Sequence, residues 1–88
     1  MNRNEMKIEF GSDPRNESFA RVVVASFMTR TNPTLEEVAD VKTAVSEAVT
    51  NSIIHGYGQK EGTIEIRAYI EERKLYICLL YTSDAADE

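Results

Sequence analysis

The spacing of the apolar residues changes once along the chain, and this change limits the possible folds more than any other feature. Over residues 34–56 the apolar positions recur every three or four residues, which is typical of an amphipathic helix. Over residues 64–70 they alternate with polar positions, which is typical of a strand with one buried face. Thr34 and Glu37 form a T-x-x-E capping box that predicts the start of the helix, and His55-Gly56 predicts its end. The predicted buried face consists of Leu35, Val38, Val41, Val45, Ala48, Val49 and Ser52.

Two shorter apolar patterns precede this helix. Met6, Ile8 and Phe10 alternate with charged residues and predict a short strand. Residues 15–30 show helical spacing and predict a first amphipathic helix that starts after Asp13-Pro14. The predicted buried face of that helix consists of Phe19, Val22, Val23 and Phe27, and Asn32-Pro33 is predicted to end it.

The C-terminal third predicts two strands joined by a polar turn at residues 71–74. Residues 75–81 are continuously apolar, which is typical of a strand covered on both faces, and Cys78 is expected to be a small core residue there. The element order is therefore β-α-α-β-β. We expect an α+β fold, a two-layer α/β sandwich with both helices on one side of a mixed sheet. Only seven residues follow the last strand, too few to cover it, so the sequence is expected to be cut short.

Composition excludes several classes of function. The chain has 88 residues, room for one small domain, and a net charge of −5, which argues against direct nucleic-acid binding. No apolar stretch approaches the roughly 20 residues of a membrane span, and the N-terminus lacks the apolar core of a signal peptide. A single cysteine fits a reducing compartment, so we expect a cytoplasmic protein without membrane contact.

Glu47 and Asn51 are the residues in which we expect chemistry. They lie four positions apart on the predicted second helix and are therefore neighbours on its surface. A carboxylate beside a carboxamide can orient a hydroxyl group and supply an oxygen ligand to Mg²⁺. The same spacing also occurs on ordinary solvated helix faces, so spacing alone leaves both interpretations open.

The segment around these two residues resembles a known motif. Residues 34–62 are similar to the N box of the GHKL ATPases, a superfamily that includes gyrase, the Hsp90 chaperones and histidine kinases. Glu-Ala-Val-Thr-Asn at residues 47–51, followed by His55-Gly56, is most similar to the serine-kinase anti-sigma factors of endospore-forming bacteria. The similarity extends over residues 4–78 and includes surface positions such as Asn16-Glu-Ser-Phe-Ala-Arg21.

The resemblance implies the N-terminal half of a Bergerat-type GHKL domain that binds ATP between the N-box helix and the sheet. It implies a protein serine/threonine kinase that sequesters a sporulation sigma factor and phosphorylates the anti-anti-sigma factor. Glu47 then corresponds to the general base for the acceptor serine, and Asn51 to the ligand of the Mg²⁺ that bridges the ATP phosphates. Arg21 corresponds to the surface that holds both protein partners, although an ordinary solvated arginine is an equally good interpretation. Members of the family act as homodimers, and residues 6–27 are expected in that contact.

The resemblance ends at Cys78. The family continues into D-x-G-x-G, an ATP lid and a second glycine box, and residues 79–88 match none of these. We interpret residues 1–78 as the N-terminal part of the ATPase domain and residues 79–88 as a non-native tail. The 88-residue chain is then expected to bind ATP negligibly and to phosphorylate nothing. Two alternatives stay open: a stress-response anti-sigma serine kinase of the same family, and a non-catalytic module that only binds a sigma factor or another partner.

Overall fold

The protein is a two-layer α+β structure. The computed structural model describes residues 3–55 and 61–83. Its elements are β1 (Asn4–Gly11), α1 (Asn16–Met28), a 3-10 turn (Thr29–Thr31), α2 (Leu35–His55), β2 (Gly62–Glu71) and β3 (Lys74–Ser83). The three strands form one sheet in the order β1-β2-β3, and the two helices pack against each other over one face of it. The predicted fold class and element order are confirmed.

The described sheet is antiparallel throughout, so the expectation of a mixed sheet is wrong for these strands. The reason is the connection between β1 and β2, which contains two helices. The first helix carries the chain back along the sheet and the second carries it forward again, so β2 runs opposite to β1. In the resulting register Ile66 of β2 lies between Ile8 of β1 and Leu79 of β3.

The core lies between the central strand and the two helices. Its buried residues are Ala20 and Val24 of α1, Val45 and Val49 of α2, and Ile64 and Ile66 of β2. Full burial of a valine or isoleucine side chain stabilises a fold by roughly 1.5–3 kcal/mol. The predicted buried face of β2 is confirmed, because Ile64, Ile66 and Ala68 are all buried.

The predicted buried face of α1 is partly wrong. Phe19 and Val22 remain 48% and 55% exposed, whereas Ala20 and Val24 are fully buried. The helix is turned by about one residue from the predicted orientation because it must contact both α2 and the sheet, and the small Ala20 side chain permits close approach there. Phe27 is buried, as predicted.

The capping box of α2 is confirmed. The Glu37 backbone N–H donates to Thr34 Oγ1 at 3.0 Å, and the Thr34 N–H donates to Glu37 Oε1 at 2.9 Å. Leu35, predicted to be buried, is 89% exposed because the first turn of α2 begins away from the core. The helix ends at His55, and the predicted cap at Gly56 lies outside the described residues. None of the described helices is long and apolar enough to cross a membrane.

Among the described residues β3 lies at the edge of the sheet, and its outward face is exposed, so the prediction of a strand covered on both faces is wrong. It pairs with β2 alone, and no described residue lies over its outward side. Cys78, expected in the core, is therefore exposed. The strand continues through residues 79–83, which pair with residues 62–66. The interpretation of residues 79–88 as a tail stays a prediction, and residues 84–88 lie outside the described part of the chain.

Candidate functional site

α2 presents Glu47 and Asn51 to solvent, as predicted. Val45 and Val49 of the same helix are buried in the core. Glu47 is two residues from each valine, about 200° around the helix, so its side chain is on the opposite side. Asn51 follows one turn later, and both residues are exposed. The carboxylate and the carboxamide therefore share one open surface of α2.

Two adjoining depressions mark this surface. One, of about 370 Å³, is lined by Ser46, Glu47, Thr50 and Asn51. The other, of about 280 Å³, is lined by Arg21, Lys42, Thr43, Ser46 and Glu47. Ser46 and Glu47 belong to both, so we refer to the two depressions together as the helix groove. The structure thus brings all three predicted site residues to one groove, with Asn51 at one end, Glu47 in the middle and Arg21 at the other end.

A hydrogen-bond network that the sequence did not predict holds the Arg21 end of the groove. Arg21 Nη1 donates to Glu17 Oε2 at 2.6 Å, one turn away on α1. Ser46 Oγ of α2 donates to the same oxygen. The hydrogen bond from Ser46, and then the one from Arg21, lowers the pKa of the Glu17 carboxyl below its usual value. Glu17 is therefore ionised at neutral pH and links the two helices.

One part of this network had a signal in the sequence. Glu17 and Arg21 have the i,i+4 spacing of a helical ion pair, so their contact could have been predicted from the sequence. Ser46 is 29 residues from Glu17, and no local pattern indicates their contact.

The described residues offer oxygen ligands at the groove but no complete metal site. No group of three or more histidine, cysteine, aspartate or glutamate residues is placed to hold a metal ion within residues 3–55 and 61–83. Mg²⁺ commonly takes only one or two protein ligands and completes its octahedron with phosphate oxygens and water. The exposed side-chain oxygen of Asn51 fits that kind of site, in which a bound nucleotide would bring the phosphates, and the Glu47 carboxylate lies beside it.

A larger depression lies on the opposite side of the sheet and contains none of the predicted site residues. There the Arg3 guanidinium lies 4.2 Å from the centre of the Tyr69 ring, and Tyr69 stacks on Tyr76 at 4.6 Å. Arg67 beside them is paired with Glu65. Of these contacts, the Tyr69–Tyr76 stack links β2 to β3 and the Arg67–Glu65 pair lies within β2. The helix groove, which holds the predicted site residues, is therefore the candidate site.

Comparisons with known proteins identify relatives of this chain. The histidine kinase-like ATPase domain family matches residues 10–87. An anti-sigma F factor of Clostridium kluyveri is 64% identical over 74 residues, which cover 84% of this chain and 52% of the relative. An anti-sigma F factor of Clostridium novyi is 59% identical over 78 residues, which cover 88% of this chain and 54% of the relative. The chain spans about half the length of the curated relatives it matches.

Proposed function

The chain belongs to the histidine kinase-like ATPase domain family, and from this membership we propose that it supplies the N-box half of an anti-sigma factor with serine kinase activity. The protein sequesters a sporulation sigma factor and uses ATP and Mg²⁺ to phosphorylate a serine of the anti-anti-sigma antagonist. The observation that carries this proposal is the shared groove, in which Glu47 and Asn51 lie on one exposed surface with Arg21 at its end. The names of the similar relatives, anti-sigma F factors, support the sigma-factor part.

Glu47 is the proposed general base. Its carboxylate accepts the proton of the acceptor serine hydroxyl while the serine oxygen bonds to the transferred phosphoryl group and ADP leaves. Asn51 offers its side-chain oxygen as a ligand to Mg²⁺. When bound, ATP would supply the phosphoryl group and Mg²⁺ would neutralise the charge that develops on it. The exposure of both side chains supports these roles, because a protein substrate can reach them from solvent.

Arg21 is the proposed contact for protein partners. Its guanidinium lies at the end of the helix groove, where Lys42 and Thr43 of α2 line the same depression. Arginine is enriched at protein interfaces. We propose that this surface binds the sigma factor and its antagonist in the cytoplasm, and that residues 6–27 also contribute to a homodimer.

The 88-residue chain by itself is proposed to bind ATP only weakly. Among the described residues, the depression around Glu47 and Asn51 is lined by α2 side chains alone, so much of a bound nucleotide would stay in contact with water. Calorimetric titration of the purified chain with ATP and Mg²⁺ is expected to show no binding in the millimolar range. A dissociation constant of millimolar or below would contradict this.

The kinase proposal is tested in a version of the chain extended with the C-terminal half of the Clostridium kluyveri relative. Loss of a general base typically slows a reaction by 10²–10⁴-fold, so Glu47→Gln is expected to lower phosphorylation of the antagonist by about that factor. Sigma-factor binding is expected to persist. Glu36→Gln, an exposed glutamate on the first turn of α2, is the matched control and should leave the rate unchanged.

Other outcomes of the same assay distinguish the alternatives. If the extended protein binds a sigma factor but does not phosphorylate the antagonist even with Glu47 intact, it is a non-catalytic binding module. A protein that phosphorylates a stress-response antagonist in preference to the sporulation antagonist is the stress-response kinase of the same family.

A further inference from the structure

One carboxylate oxygen joins the two helices at the Arg21 end of the helix groove. Glu17 Oε2 accepts a hydrogen bond from Arg21 Nη1 on its own helix and another from Ser46 Oγ on α2. Ser46 immediately precedes Glu47 in the chain. Glu17 therefore contacts both the residue proposed to bind partners and the residue next to the proposed base.

This arrangement restricts the Arg21 side chain. An arginine in water samples many rotamers, and fixing it at an interface costs conformational entropy. The side chains of Glu17 and Arg21 are only 24% and 36% exposed, so their ion pair is partly shielded from solvent. The bond from Ser46 also anchors the Glu17 carboxylate, which prevents it from moving with the arginine.

The ion pair leaves Arg21 able to bind a second carboxylate. A guanidinium has five N–H donors, and the bond to Glu17 is made by Nη1. Lys42 lines the same depression and adds a second positive charge. Arg21 and Lys42 are the two positively charged residues that line this depression, so they are the groups in it that can attract an acidic side chain.

We propose that Glu17 is a positioning residue: anchored by Ser46, it holds the Arg21 guanidinium over the helix groove so that a carboxylate side chain of a protein partner can bind it. The inference rests on the proposed role of Arg21 in partner binding and adds the residues that orient it. The lowered pKa of Glu17 supports it, because the carboxylate stays charged at neutral pH.

The test is a double-mutant cycle on binding to the sigma F factor of Clostridium kluyveri, measured by fluorescence anisotropy with the 88-residue chain. Glu17→Ala is expected to weaken binding about fivefold, the size of one partly shielded ion pair. Arg21→Ala is expected to weaken it more, and the double variant no further than Arg21→Ala alone. Glu17→Gln keeps an acceptor oxygen and should recover part of the affinity.

Asp13→Ala is the matched control. It removes another ion pair, Asp13 with Arg15, just before the same helix, and should leave the affinity unchanged. Equal affinity of Glu17→Ala and the wild type would overturn the proposal. So would a fivefold loss that persists in the Arg21→Ala background, because Glu17 would then act on the partner itself or on stability in general.

A partner-free measurement separates this inference from the proposed function. In NMR titrations of the free chain, Ser46→Ala and Arg21→Ala are each expected to raise the pKa of Glu17, because each removes a donor to the carboxylate. If the pKa of Glu17 is unchanged in both variants, Ser46 and Arg21 do not donate to the Glu17 carboxylate. The proposal is then wrong, whether or not the chain binds a partner. If the pKa rises but the wild-type chain does not bind the sigma factor, the proposed function fails, and the positioning role fails with it.

Discussion

Asp13 shows how a single half-buried residue can make the stability of this fold depend on pH. Its carboxylate accepts hydrogen bonds from Arg15 Nε at 3.0 Å, from Nη2 at 2.6 Å and from the Arg15 backbone N–H at 2.8 Å. The side-chain bonds first, and then the backbone bond, lower the pKa of Asp13 to about 2. These contacts shape the turn that leads from β1 into α1.

Asp13 is therefore expected to stabilise the fold above about pH 4, its ordinary pKa in an unfolded chain, and to lose this effect as the pH falls towards 2. Asp13→Asn keeps one oxygen for the Arg15 backbone N–H but removes the charge and the second oxygen, which accepts from Arg15 Nη2. Melting temperatures of the two proteins should differ at pH 7 and converge between pH 4 and 2. Asp40→Asn, which changes an exposed aspartate on α2, is the control for the general effect on melting temperature of removing one carboxylate. A difference that stays constant down to pH 2 would contradict the prediction.

The site residues divide into those that local geometry determines and those that packing determines. Glu47 and Asn51 could be placed together from the sequence because four residues make about one helical turn. Their exposure also followed from the buried positions of Val45 and Val49. The contact of Glu17 with Ser46 could not be predicted in this way, since it depends on how α1 and α2 pack against each other.

Whole helices and strands show the same division between properties set by local sequence and properties set by packing. The order and type of the helices and strands follow from periodicity, capping and turn residues, and these predictions are confirmed. The rotation of α1 and the exposure of β3 depend on which neighbours each element has. Apolar spacing shows that α1 has a buried side, but Ala20 and Phe19 are both apolar and only packing selects Ala20 for the core.

The β2–β3 hairpin has a turn that its sequence does not favour. Glu71 pairs with Lys74, so the loop consists of two residues, and both have positive φ angles, 54° at Glu72 and 69° at Arg73. Two-residue turns of this kind favour glycine at the second position because residues with a Cβ are strained there.

Arg73→Gly is expected to increase the free energy of unfolding by about 0.5–1 kcal/mol, because the relief of strain exceeds the entropy that glycine adds to the unfolded chain. Urea denaturation measures this change. Lys74→Gly is the matched control: Lys74 lies in the strand, so glycine there should destabilise the protein. Equal effects of the two substitutions would show that the turn is not strained.

At the scale of the whole molecule, the two layers leave one side of the sheet uncovered by described residues. The helices cover the face that contains Ile64 and Ile66, whereas Tyr76, Cys78 and Leu80 point from β3 to the other side. β3 is also an edge strand, and it combines exposed apolar side chains with backbone groups that can pair with another chain. The fold of a single chain therefore carries a surface that favours self-association.

Leu80→Lys is expected to reduce this self-association. Leu80 is 45% exposed on the outward face of the edge strand, where a lysine charge opposes strand pairing between copies. Sedimentation velocity over a range of concentrations should show the wild-type chain associating beyond the dimer proposed through residues 6–27, and less of this further association in the variant. Leu35→Lys is the matched control, because Leu35 is 89% exposed on α2, far from any strand edge. If both substitutions reduce association equally, exposed apolar area in general is responsible. If the wild type shows no association beyond that dimer at high concentration, the edge of β3 is protected in solution and the prediction is wrong.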